Sequence, residues 1–108
     1  VKPVAHRVFV VAATKKTREA LIKYYIDHVH KRYLGAFRFY HIYRAYNARH
    51  AKNAINTPGA EVPHLIMFCA SGVTALDREK LHQFLINIHS TATLILVPDS
   101  LLGLDRAV

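Results

Sequence analysis

Cysteine, glycine and acidic residues are all scarce in this chain. Its one cysteine among 108 residues, Cys69, excludes a disulfide scaffold and suits a reducing compartment. Cys69 lies within an apolar run and reads as a small core residue, not a nucleophile. The four glycines, Gly35, Gly59, Gly72 and Gly103, stand far apart, so no glycine-rich loop is available to cradle a nucleotide phosphate. Ala12-Ala13-Thr14-Lys15-Lys16-Thr17 lacks the glycines a dinucleotide fold needs in its first strand-to-helix turn. No Cys/His set has zinc spacing, and no carboxylate pair stands out among the seven acids. No catalytic residue, metal or cofactor is expected. No apolar run approaches the roughly 20 residues of a spanning helix, and no membrane partner is expected.

Positive charge is abundant, and its excess lies wholly in the first half. Residues 1–53 hold twelve Lys or Arg against Glu19 and Asp27, a net +10, whereas residues 54–108 hold three against five, a net −2. Like charges repel within a compact state, so this split adds nothing to folding. It marks a face meant for a polyanion. The same half is aromatic, with Tyr24, Tyr25, Tyr33, Phe37, Phe39, Tyr40, Tyr43 and Tyr46. Basic residues interleaved with aromatics point to RNA more than to membrane.

The length suits one small domain, residues 1–108, with one modest core. An apolar content of 52% argues against disorder. Residues 8–13 form a β-branched apolar run that fits a strand buried on both faces. Thr14 and Thr17 are alternative N-caps for a helix through Tyr33, with Ile22, Tyr25, Ile26, Val29 and Tyr33 on its inner stripe and Gly35 at its C′ position. Residues 37–46 read as a second strand, with Arg38 and Arg44 on one side by even spacing. Asn47 caps a short helix through Ile55, whose inner residues are Ala48, Ala51 and Ile55. Thr57-Pro58-Gly59 has turn chemistry, residues 65–70 form a third strand, and Ser71-Gly72 turns the chain. A helix over 76–90 faces Leu81, Phe84, Leu85 and Ile88 inward and carries Asp77 and Glu79 near its N-terminus. Residues 93–97 form the last strand, stopped by Pro98-Asp99, and residues 105–108 read as frayed. The order β-α-β-α-β-α-β predicts an α/β domain with helices packed on a mostly buried sheet.

Eight histidines raise the question of a metal site. His28 and His30 have the spacing that sets two imidazoles on one face of a strand around a metal, with tyrosines nearby as nucleophiles. Within a helix they are about 200° apart and diverge. His82 and His89, seven apart, can align, but no partner acid is evident. His41 alternates with large aromatics and reads as a core or interface residue. A metal-dependent nucleic-acid enzyme using His28 and His30 is one alternative function. An accessory α/β subunit whose basic face meets acidic protein is another.

The candidate RNA contacts are Lys15, Lys16, Arg18, Arg38, Arg44, Asn47, Arg49, His50 and Lys52. Lys15, Lys16 and Arg18 flank a helix start, where free N–H groups also favour anions. Arg49, His50 and Lys52 decorate the helix that Asn47 opens.

The element order and the segment Ile42-Tyr43-Arg44-Ala45-Tyr46-Asn47-Ala48-Arg49-His50-Ala51-Lys52-Asn53-Ala54 resemble the ribosomal stalk-base family, that of large-subunit ribosomal protein L-ten. In that family a strand ends in a basic residue and an asparagine and leads into a basic helix. Asn47 matches the asparagine, and Arg49 and Lys52 are similar to the helix cations. Tyr46 stands where the family has Lys or Arg, and Pro63 where it has glycine, so the resemblance implies a divergent member. It implies ribosomal RNA and neighbouring stalk-base proteins as partners. The family's C-terminal stalk-binding helix has no counterpart within these residues. A first residue other than Met and the basic, His- and Tyr-rich composition lead to an expectation of a mitochondrial matrix ribosome, with the cytoplasm as second choice.

Overall fold

The computed structural model describes residues 5–70, 74–88 and 90–103. Four strands, β1 (Ala5–Val11), β2 (Phe39–Ala45), β3 (Leu65–Cys69) and β4 (Thr93–Val97), alternate with three helices, α1 (Lys15–Tyr24), α2 (Ala48–Ile55) and α3 (Ala75–Asn87). All neighbouring strands are parallel, in the order β2-β1-β3-β4. From β1 the chain steps outward to β2, then back across β1 to β3. Right-handed crossovers therefore put α1 on one face and α2 and α3 on the other. The core is accordingly split by the sheet. Val8, Val10, Leu65 and Met67 meet Leu21, Ile22, Tyr25 and Val29 on the α1 face. Phe9, Val11, Ile66 and Phe68 meet Ala51, Ile55, Leu81 and Leu85 on the other.

The expected α/β order is present, with shifts that have physical causes. β1 starts at Ala5 and ends at Val11, not at residues 8 and 13, because Ala5, His6 and Arg7 pair with Phe39, Tyr40 and His41 of β2. β2 starts at Phe39, so Arg38 precedes the strand and does not share a strand face with Arg44. β3 stops at Cys69. The expected turn at Ser71-Gly72 and the frayed residues 105–108 lie outside the described residues.

The helix expected over 17–33 starts at Lys15, and Thr14 is its cap, its hydroxyl oxygen accepting from the Thr17 N–H at 3.2 Å. It then continues through a π-helical turn, Tyr25–Val29, and a 3₁₀ turn, His30–Tyr33. The wider π turn alters the helical phase. Tyr25 and Val29 stay inside, while Ile26, expected on the inner stripe, is 38% exposed. Gly35 is not a left-handed C′ residue, since the 3₁₀ turn already ends the helix; among the described residues the positive-φ glycines are Gly59 and Gly103. Gly59, at φ 83° after Pro58, allows the turn closed by the Ala60 N–H on the Thr57 carbonyl at 3.0 Å. α3 runs from Ala75 to Asn87, so Ile88, expected inside, falls past its end and is 39% exposed.

The sheet is buried only at its centre. Every residue of β3 is buried, whereas of β2 only Ala45 is. β2 is an edge strand. α2, eight residues and roughly 12 Å long, covers the Ala45 end and leaves the rest of that face bare.

Candidate nucleic-acid interface

Parallel strands deliver α1 and α2 to the same edge of the sheet. β1 and β2 are neighbours, and the Ala12 N–H donates to the Ala45 carbonyl at 3.0 Å just before the two helices begin. The backbone N–H groups of both first turns thus face one side. Neither first turn contains an acid; Lys15 and Lys16 occupy that of α1, and Arg49 that of α2. Cations there oppose the helix dipole, which favours carboxylates at this end. α3 follows the ordinary rule: Thr74 caps it and Asp77 sits in its first turn. The two basic helix starts therefore concentrate positive potential that folding does not reward.

Arg18 ties the two starts together. Its Nη1 donates to the Ala12 carbonyl at 2.9 Å, and its guanidinium lies 4.8 Å from the centre of the Tyr46 ring. The His50 ring stacks on Tyr46 at 5.0 Å and 16°. Asn47 caps α2, its Oδ1 accepting from the His50 N–H at 2.8 Å. His50 Nδ1 in turn accepts from the Tyr46 N–H at 3.1 Å. This is a variant of the capping box in which an imidazole reaches back one residue beyond the cap. The Asn47 carbonyl oxygen is occupied by the cap, and its amide N–H groups are the part left for a ligand.

The other expected contacts are spread around this edge. Arg44 pairs with Glu19 at 3.6 Å, both side chains about half exposed, so the pair contributes little to stability. Lys52 places Nζ 5.2 Å from the Phe84 ring centre. With Arg49, Asp77 and Lys80 it lines a hollow of about 270 Å³ between α2 and α3. Lys80 comes from the acidic half of the chain, and only the fold brings it to the basic face. Arg38 is separated from this edge by the length of β2, roughly 20 Å. Apart from Arg7, which pairs with Glu61, and Arg44, the first-half cations have no acidic partner among the described residues.

The histidines sort differently. His28 packs on Tyr24 at 4.9 Å, and His30 lies against Tyr25 and Tyr40. The two rings serve different neighbours and do not converge. Among the described residues no three His, Cys, Asp or Glu side chains gather as a metal-holding group; His89 lies outside them. Cys69 is buried, and its thiol donates to Asp99 Oδ1 at 2.8 Å.

His6 had no signal of its own in the sequence. It is 2% exposed, its Nδ1 lies 2.6 Å from the Tyr25 hydroxyl, and the Tyr33, Phe37 and His64 rings surround it. Burial, with His64 and His30 nearby, lowers its pKa to about 4. Burial, with Tyr33 and Tyr40 adding, pushes Tyr25 well above the ordinary phenol range. Both groups are neutral at pH 7, so the two share a hydrogen bond between uncharged partners. His64 is also lowered, by burial and then Arg7, with Glu61 opposing. Its Nδ1 accepts from the Arg7 N–H at 3.0 Å. This cluster sits at the N-terminal ends of the strands, away from the basic helix starts. It braces the sheet there.

Comparison with protein-family models, with curated proteins and with solved structures finds no match to the chain. Among the described residues no helix is long and apolar enough to cross a membrane.

Proposed function

We propose that the protein is a non-enzymatic RNA-binding module that grips ribosomal RNA in the large subunit, at the stalk base. The observation that carries the RNA reading is the pair of adjacent helix starts with Lys15, Lys16 and Arg49 in their first turns and no acid to offset them. Phosphates placed there meet free N–H groups, two helix dipoles and side-chain cations together. Arg18, Tyr46 and His50 supply planar groups beside them, suited to a sugar or an unpaired base. Arg49, Lys52 and Lys80 extend the phosphate track along the α2–α3 hollow. The ribosomal setting, a mitochondrial ribosome by preference, rests on the resemblance around Asn47.

Sedimentation of cell extract tests that setting. The protein is expected to travel with large-subunit particles and to leave them at high salt. Migration as a free protein at low salt would contradict it. The metal-dependent alternative needs His28 and His30 to converge, and their positions lend it no support. Metal-dependent cleavage of single-stranded nucleic acid that is lost in His28→Ala/His30→Ala would reinstate it.

A further inference from the structure

On the bare face of β2, Phe39, His41 and Tyr43 alternate and point to the side that α2 fails to cover. All three are exposed, Phe39 at 56% and Tyr43 at 37%. In the parallel register they stand beside Ala5, Arg7 and Phe9 of β1. Tyr43 stacks on Phe9 at 5.2 Å, and the His41 and Tyr43 ring centres are 6.5 Å apart. The loop after α2 closes one side of a hollow of about 490 Å³ beside Phe9 and Tyr43. An exposed row of rings gains nothing for the isolated fold and marks a contact surface.

We infer that this sheet face binds unpaired bases of single-stranded RNA, which stack on Phe39, His41 and Tyr43. The inference rests on the RNA reading above and adds a second, chemically different site to it. Three features select the occupant. Residues two apart on a strand recur at roughly 6.6 Å, about twice the ~3.4 Å rise of a stacked strand, which suits an extended chain with splayed bases. Arg38 precedes the row and matches a phosphate backbone in charge, whereas Arg44 lies on the opposite face of β2, paired with Glu19. The net charge of +8 opposes pairing of this edge with a second copy. Rings on a sheet surface are a recurrent platform for bases, because every base has a π face.

The test compares a 12-nucleotide single-stranded RNA with a 12-base-pair RNA duplex, using wild type, Phe39→Ala/Tyr43→Ala and the ring-preserving Phe39→Tyr/Tyr43→Phe. The alanine pair is expected to weaken single-strand binding by about 10- to 100-fold, given the strength of base–aromatic stacking. Its duplex binding and its salt dependence stay as in wild type, because no charge is removed. The ring-preserving pair stays within about 3-fold of wild type, so a loss confined to the alanine pair is a loss of stacking. Thermal unfolding shows whether each variant is folded. Duplex binding with no single-strand loss in the alanine pair overturns this inference and leaves the RNA reading standing. Binding to neither RNA overturns both. A wild-type dimer that the alanine pair abolishes, with unchanged RNA affinity, assigns the face to self-association and also overturns the inference.

Discussion

Protonating His6 places a charge beside Tyr25 in a site with almost no water. Its pKa is about 4 when folded, against 6.5 for the free side chain. Between these values the unfolded chain binds a proton that the folded chain refuses, so stability falls as the pH falls. The contribution is complete above pH 6.5, declines through the window, and is lost below about 4. The whole shift, in which burial is the largest cause and His64 and His30 add, amounts to roughly 3 kcal/mol, and His64 is itself shifted the same way. Thermal unfolding is expected to show a marked fall in Tm from pH 7 to pH 4.5, reduced in His6→Asn. A flat profile to pH 5 would show that the cluster relaxes on protonation. Asn47 is simpler: Asn47→Ala removes the α2 cap and is expected to cost about 1 kcal/mol, measurable by urea denaturation. Asn47 was legible in the sequence because a cap acts on a residue three positions on. His6 was not, because its partner is 19 residues away and nothing local records the pairing.

Helices and strands differed in how much of them could be read. The stripes Ala48, Ala51, Ile55 and Leu81, Leu85 follow from period alone, and all five are buried. The π turn was not legible, since Ile26 fits the stripe by spacing and only the altered phase turns it out. β2 was half legible: alternation assigns residues to faces, but whether a face is covered depends on the length of α2, a separate element. The first turn of α1 offers a test that separates stability from function. Lys16→Glu puts a carboxylate at the positive end of the helix and is expected to stabilise the protein by about 0.3–1 kcal/mol. The same change is expected to weaken RNA binding by about 1–3 kcal/mol if Lys16 meets phosphate. Denaturation and binding titrations then move in opposite directions. A variant that is both more stable and equally tight would remove α1 from the interface.

Across the whole molecule, the doubly wound order decides which charges act together. It brings α1 and α2 to one edge, carries Lys80 from the acidic half to Arg49 and Lys52, and leaves Arg38 at the opposite end of β2. Charge counting along the chain located the basic half but could not make these assignments, which depend on crossovers. Lys52→Ala/Lys80→Ala is therefore expected to weaken RNA binding and to lower the magnitude of its salt slope by about one for each phosphate that is no longer neutralised. Arg78→Ala is expected to leave both unchanged, since Arg78 lines a different hollow with Glu79 and His82.

If the basic helix starts and the α2–α3 hollow grip RNA phosphates, binding must release counterions. The decisive experiment is the affinity of the purified protein for a structured large-subunit RNA fragment, titrated from low to high salt. With about five phosphates neutralised, log K is expected to fall against log salt with a slope of roughly −3 to −5. An affinity that does not change with salt would contradict the phosphate grip.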